Sequence, residues 1–309
     1  MNNIQPIVYN SFYEYIEKVL FDARISRYNS KYSNRIYSNY YHLFLIILKE
    51  QMNKSYREIT KIVKQNKINR TLAYSKVPHY TTLQKVASKL DKFLLKRILF
   101  ASARISKRYS GNLAIDATGF STLNPSHYYH NRINAKRVKS FIKTTIVLDV
   151  DNRLIVNADT HSNNQHDNLD FLPLMQEILS KQKLNIHKIF ADKGYDAKTN
   201  FKFAYENGIK VLIPVRNYPQ TAKGYKEEGK VKCLTRKKAK RLFDETEYHQ
   251  RSLVESINSA IKRKYGSFVR ARASINQEKE AFWKLIVYNL NVVSRMISYL
   301  LRQLTKDFY

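Results

Sequence analysis

Asn112-Leu-Ala-Ile-Asp-Ala-Thr118 is the stretch at which the periodicity of this 309-residue chain changes. Upstream, from Ser11 to about Lys107, apolar residues recur at helical spacing and strand signals are absent. At Asn112 a short apolar strand begins with one carboxylate, Asp116, inside it. A lone acid in an apolar strand is costly to bury unless it is paired or holds a metal, whereas at an exposed strand end it costs little. Strand signals continue downstream. Val138–Val150 and Arg153–Asp159 read as two strands joined by a turn at Asp151-Asn152, a hairpin signal. Phe171–Leu184 reads as a helix, and Ile186–Asp192 as a fourth strand ending at Lys193-Gly194-Tyr195-Asp196. A further helix runs to about Asn207, Gly208 is a natural helix stop, and Ile209–Val215 is a fifth strand. Three strands, helix, strand, helix, strand, then helices make an α/β layer with a five-stranded mixed sheet flanked by helices.

The all-α region before it begins with Phe12, Ile16, Val19 and Leu20 on one helical face. A second helix, Tyr40–Met52, precedes Ser55-Tyr-Arg-Glu58, spaced as a capping box. After a basic loop with Lys67, Arg70 and Lys76, Thr81 and Gln84 repeat that spacing. Two short capped helices, the second one basic, suit a helix-turn-helix reader of DNA, although an ordinary helical hairpin has the same pattern. Tyr80, Thr81, Thr82, Gln84 and Lys85 are the residues placed at base edges or phosphates. The boundary between a helical DNA-binding domain (1–110) and an α/β domain (111–309) falls near Ser106–Gly111.

Charge points to the same partner. Lys and Arg number 55 against 25 Asp and Glu, a net charge of +30, far more than solubility asks of a domain. A polyanion explains that excess. The basic residues run along the whole chain instead of flanking an apolar segment, which favours nucleic acid over a membrane surface. A basic insertion, 217–247, carries Lys223, Lys226, Lys230, Lys232, Arg236, Lys237, Lys238, Lys240 and Arg241 and reads as an excursion over DNA, or as a solvated loop. The single cysteine, Cys233, excludes an internal disulfide framework and cysteine-rich zinc sites and fits a reducing cytoplasm. The N-terminus has no secretory pattern, and the longest uncharged apolar run, Leu43–Leu48, is too short to span a bilayer.

The chemistry is expected at Tyr248-His-Gln-Arg251-Ser-Leu-Val-Glu255 and on to Lys262. At helical spacing Tyr248, Arg251, Glu255 and Lys262 fall within about 60° of one another. The opposite face carries Leu253, Val254, Ile257, Ala260 and Ile261, with Leu253 and Ile257 as its anchors. Such a polar stripe is often only a solvated helix face. A carboxylate flanked by a phenol, a guanidinium and an ammonium is also what a phosphodiester site needs: a metal ligand among phosphate-binding groups. If Asp116 and Asp192 stand on neighbouring strands under that helix, three carboxylates converge, and a divalent ion relieves their repulsion. Oxygen ligands favour Mg²⁺ or Mn²⁺ over zinc, and two such ions suit phosphodiester cleavage. His166-Asp167 is a weaker metal or general-base pair, because Asp167 also suits the N-cap of the next helix.

The order of elements resembles an RNase H-like fold, and the motifs carry the resemblance further. Tyr248, Arg251, Glu255 and Lys262 resemble the Tyr-x2-Arg-x3-Glu-x6-Lys signature of insertion-sequence DDE transposases, and Asp116 in Ile-Asp-Ala-Thr-Gly and Asp192 in Ala-Asp-Lys-Gly-Tyr-Asp resemble that group's two catalytic aspartates. The similarity spans about Leu113–Tyr265. It implies an RNase H-like catalytic core, Asp116, Asp192 and Glu255 as metal-holding catalytic residues, and helical N-terminal recognition of terminal inverted repeats by a homodimer in the synaptic complex. It also implies cleavage at the element's ends and joining of the 3′-hydroxyl to target DNA, in the cytoplasm at the nucleoid. Arg251 and Lys262, with Lys193, would meet phosphates near the cut, and Tyr248 would position one. Some relatives insert a β-rich domain before the glutamate and trap a flipped base on a tryptophan; this chain has only the basic insertion, and its one tryptophan, Trp283, sits in the last helix, where core packing is expected. Tyr218, Tyr225 or Phe243 could stack a base instead. Two other readings remain open: an RNase H-like nuclease or resolvase that cuts without joining, and a transposase-derived regulator that binds DNA without cutting.

Overall fold

The computed structural model describes residues 4–104, 109–122, 141–163, 165–216 and 234–306. The start of the expected second strand at 138–140, Cys233 and the part of the basic insertion carrying Tyr218, Tyr225, Lys223, Lys226, Lys230 and Lys232 lie outside them. The chain divides into two compact units. One, the helical unit, takes 1–107, 120–142 and 261–309; the other, the sheet unit, takes 108–119 and 143–260. That division differs from a single cut near residue 110, because the C-terminal residues count with the N-terminal helices.

The helical unit begins with α1 (Ile4–Asp22), α2 (Asn39–Gln51), α3 (Tyr56–Gln65), α4 (Ile68–Thr71), α5 (Tyr80–Lys89) and α6 (Lys92–Arg104). α2 is buried over Tyr40–Glu50, all round its circumference, as the centre of a helical cluster must be. The Ser55–Glu58 capping box forms with both reciprocal bonds at the start of α3. The second expected box does not form. His79 is the N-cap of α5, its Nδ1 accepting from the Thr81 amide, so Thr81 already lies inside the helix.

In the sheet unit the strands β1 (Asn112–Thr122), β2 (Phe141–Asp149), β3 (Leu154–His161), β4 (Lys188–Ala191) and β5 (Lys210–Leu212) lie in the order β3-β2-β1-β4-β5. β2 and β3 form an antiparallel hairpin, while β1, β4 and β5 run parallel. Leu113, Ala114 and Ile115 of β1 and Ile189, Phe190 and Ala191 of β4 are fully buried, which is why these strands read as continuous apolar runs instead of alternating. α7 (Asn168–Ser180) packs on β3 through Phe171, Leu174, Met175 and Ile178, and α8 (Lys198–Glu206) packs on β5. Asp167 does occupy the N-cap position of α7, but its side chain makes no capping bond; it pairs with the buried Lys143 at 2.9 Å.

α9 (Leu234–Arg241) and the single turn α10 (Glu245–Tyr248) follow, then a 3₁₀ turn His249–Arg251 and α11 (Ser252–Tyr265). The expected continuous helix from Tyr248 is therefore interrupted: Tyr248 and Arg251 precede α11. Its buried stripe is Val254, Ile257, Ile261 and Tyr265, at steps of three and four, whereas Leu253 is half-exposed and anchors nothing.

Back in the helical unit, the sheet gains a strand that local pattern did not reveal. β6 (Phe268–Val269) pairs with Ser121–Thr122 and makes the sheet six-stranded. α12 (Ser274–Lys306) packs on α2 and α6. Its Lys284 is 1 % exposed and faces Glu50 at 4.0 Å, while Lys49 meets Glu280 at 3.7 Å. These cations are buried because each has a carboxylate partner. Among the described residues no helix is long and apolar enough to cross a membrane.

Candidate active site

Asp116 stands mid-β1, half-buried, next to the fully buried Ile115. Its Oδ2 accepts from Nδ2 of Asn258 at 3.1 Å. Burial pushes the carboxyl up to about 6; Glu255 adds to the rise, and Arg251, the Ala117 amide and Asn258 oppose it. Asp192 sits one residue past β4, exposed, where its Oδ1 accepts from the Lys193 amide at 2.6 Å and caps the 3₁₀ turn Lys193–Tyr195. Lys193 is exposed beside it. Glu255 lies in the first turn of α11, exposed, and accepts from Nη2 of Arg251 at 2.7 Å.

Three shared neighbours join these carboxylates electrostatically. The Arg251 guanidinium feels both Glu255 and Asp192. Tyr248, whose ring lies 5.8 Å under that guanidinium, is held above the usual phenol range by burial first, with Asp192 and Glu255 adding to it. Tyr195 is 1 % exposed, and its hydroxyl has no hydrogen-bond partner among the described residues. Burial holds it well above its ordinary value, reinforced by Asp167, Asp116, Asp170 and Asp192. A Cβ at Gly194 would lie at ordinary contact distance from both carboxylates, 3.9 Å from Asp167 Oδ2 and 4.0 Å from Asp192 Oδ2.

Asp116, Asp192 and Glu255 thus share one electrostatic neighbourhood but not one ligand shell. Among the described residues no group of three carboxylate, histidine or cysteine side chains is drawn together closely enough to hold a metal ion. Glu255 is instead turned onto Arg251. Lys262 belongs to the end of α11 that counts with the helical unit, its Nζ 5.9 Å from the Phe120 ring centroid. Phe243 packs its ring on Tyr248, with centroids 5.1 Å apart.

Behind Asp167 lies a buried network. Asp170, 3 % exposed, accepts from Thr145 Oγ1 at 2.6 Å and lies 3.0 Å from Lys143 Nζ and 3.1 Å from His161 Nε2. Burial works to raise its pKa, but these donors outweigh it and hold the carboxyl well below the usual range. Among the described residues the His166 ring meets the Asn168 amide, at 3.2 Å, and makes no hydrogen bond to the Asp167 carboxylate.

Sequence reasoning missed three residues. Asn258, 6 % exposed, is the amide that fixes Asp116; beside Ile257 its sequence context carries no signal of that partner. Tyr195 looked like part of a turn. Asp196 grips Arg236 through two hydrogen bonds, 2.8 Å to Nε and 2.6 Å to Nη2, and also accepts from the Arg216 amide at 2.6 Å. It thereby pins both flanks of residues 217–233.

In the helical unit, Leu83 is the buried residue of α5, and Gln84 and Lys85 are exposed. Thr81 and Thr82 are half-exposed, and Thr81 Oγ1 is 2.8 Å from His79 Nδ1. Tyr80 is engaged by Arg57, which lies 4.7 Å over its ring and donates to its hydroxyl at 3.2 Å.

Residues 111–290 match the family described as the transposase DDE domain. Comparison with curated proteins gives no match. Among solved structures, a piggyBac transposase synaptic complex with hairpin DNA, determined by cryo-electron microscopy, is similar at 9 % identity with a TM-score of 0.44, covering 93 % of this chain and 73 % of that one.

Proposed function

The chain belongs to the DDE transposase family, matched over more than half its length, and on that premise we propose that it is an insertion-sequence DNA transposase with an RNase H-like core. It binds terminal inverted repeats through the helical region, with Tyr80, Thr81, Thr82, Gln84 and Lys85 on the DNA side of α5. It cuts at the element's ends and joins the freed 3′-hydroxyl to target DNA, as a homodimer in the synaptic complex. What supports the reading, beside the family match, is geometry: Asn258 of α11 donates to Asp116 at 3.1 Å and so ties the strand aspartate to the helix that carries Glu255, and Arg251 is held on Glu255 at 2.7 Å.

The donor set fits a hard divalent cation. All three groups offer carboxylate oxygens, and Asp116 is pushed up to about 6 by burial and by Glu255, as expected where positive charge is wanting. Two Mg²⁺ or Mn²⁺ ions held by Asp116, Asp192 and Glu255 would activate the attacking oxygen and stabilise the leaving one. Asn258 keeps the Asp116 carboxylate oriented toward α11. Glu255, with 53 % of its side chain exposed, has room to leave Arg251. Its departure frees that guanidinium to grip a DNA phosphate beside the cut with Lys193, and Lys262, in the helical unit, contacts DNA separately. Tyr248 stacks beneath Arg251 and fixes its plane.

The test is Mg²⁺- or Mn²⁺-dependent processing and joining of a labelled duplex carrying the element's own end, with Glu255→Gln beside wild type. Cleaved and joined product in wild type, absent in the variant while DNA binding persists, is the expected result. Cleavage without joining of a precut end points to a nuclease or resolvase. Binding with no cut in either protein replaces the enzyme with a regulator.

A further inference from the structure

A cavity of about 590 Å³ opens in the helical unit between α3, α5 and the segment from Arg270 to Trp283. That volume is in the range of ligand-sized clefts, about 300–1,000 Å³. Five cations line it, Lys49, Arg57, Arg270, Arg272 and Lys279, against two carboxylates, Glu50 and Glu280. Both carboxylates are already engaged. Lys49 Nζ donates to Glu50, and Glu280 Oε2 accepts the amides of Arg270 and Ala271 at 3.0 and 2.9 Å.

The cations keep donors to spare. Each guanidinium has five N–H groups. Arg57 gives one to Tyr80 and Arg270 one to the Asn53 carbonyl. Arg272 is exposed and makes no hydrogen bond or ion pair among the described residues. Lys279 reaches the Ser88 carbonyl at 2.6 Å with one of its three hydrogens.

A second observation is independent of the charges. Trp283 forms part of the wall, is 2 % exposed, and its indole N–H has no partner among the described residues. A buried indole N–H ordinarily finds an acceptor, because it can only donate. Asn276 Oδ1 is an orphaned acceptor in the same wall. Guanidiniums, an ammonium and an indole N–H together call for an anion rich in acceptor oxygens, and phosphate is the group this donor geometry fits.

We propose that this cavity receives a backbone phosphate of bound DNA, held by Arg57, Arg272 and Lys279 with the Trp283 N–H as a further donor. Tyr80 and Gln84 of α5 also line the cavity. A phosphate seated there fixes the register of α5 on the duplex, with Thr81, Thr82 and Lys85 left for the groove. The assignment rests on the reading that this chain binds DNA, and it makes Trp283 more than a packing residue.

Trp283 is the chain's sole tryptophan, so its fluorescence reports on this wall alone. The full chain is titrated with a short duplex of mixed sequence, following tryptophan emission and a gel-shift in parallel, at several salt concentrations. Arg272→Ala is compared with Lys202→Ala, an exposed lysine on α8 of the sheet unit that serves as a charge-matched control. Emission should change with the same midpoint as the shift, and Arg272→Ala should lower the slope of log affinity against log salt by about one while Lys202→Ala leaves it unchanged. Duplex binding with constant emission and equal slopes overturns the cavity proposal and leaves the DNA reading standing. No duplex binding at all removes both. An emission change with inorganic phosphate alone, matched by none with duplex, makes the cavity a small-anion site instead.

Discussion

Asp116 is the residue on which pH acts. Its carboxyl titrates at about 6 in the folded chain, mainly through burial, against about 3.9 when unfolded. Between those values the folded state holds a proton that the unfolded chain has released, so stability falls as pH rises through the window and stays lower above it. The displacement corresponds to about 3 kcal/mol, an upper figure because the group keeps some solvent contact. Asp116→Asn retains an oxygen for Asn258 and carries no charge. The metal-free variant should therefore melt above wild type at about pH 8 and with it at about pH 4. Thermal unfolding across that range is the measurement; parallel curves would show that the carboxylate is ionised at no cost. Asp116 and Glu255 were legible in the sequence because each breaks a pattern, an acid in an apolar run and an acid among phosphate-binding types. Asn258 was not, because an amide beside Ile257 reads as an ordinary helix residue until its partner across the fold is known.

At the scale of elements, spacing located the helices and strands but not their joints. The Tyr248–Lys262 pattern fits a continuous helix, yet the chain tightens into a 3₁₀ turn at His249–Arg251, a common way to satisfy a helix end and one that spacing by turns cannot detect. His79 took the N-cap expected of Thr81 because a ring nitrogen can accept an amide as well as a hydroxyl can. Where the local rule was strong the outcome matched it: the Ser55–Glu58 box is complete, and Ser55→Ala should cost about 1 kcal/mol by chemical denaturation. A different joint has a larger role. Asp196, its side chain fully buried, holds Arg236 bidentately and the Arg216 amide with it, so α9 is anchored through one carboxylate. Removing one partner of a buried pair leaves the other uncompensated, typically at about 3–5 kcal/mol. Asp196→Ala should release α9, seen as faster amide exchange over 234–241 with α7 unchanged. Protection retained over that stretch would mean that the contacts of α9 with α8 suffice without the clamp.

Over the whole molecule, the features that local pattern could not supply are those set by distant partners. Lys284 interrupts the apolar side of α12, and it is buried because Glu50, more than two hundred residues earlier, lies 4.0 Å away. The same long-range packing puts residues 261–309 in one unit with the N-terminal helices. β6, only two residues long, depends on its partner Ser121–Thr122 and carries no pattern of its own. Net charge needs no partner to be read, and it leads to a property of the entire chain. At +30 the protein must repel itself unless a polyanion is present, so counterion release from DNA should dominate its affinity. For about 6–10 phosphate contacts, affinity for a duplex of any sequence should fall about 10³–10⁵-fold between about 50 and 200 mM salt. The cognate element end should keep a roughly constant advantage over mixed sequence across that range, because base contacts release no counterions. Filter binding of both duplexes against salt separates the two terms. A shallow dependence for mixed-sequence DNA would mean that the excess of lysine and arginine faces something other than the phosphate backbone.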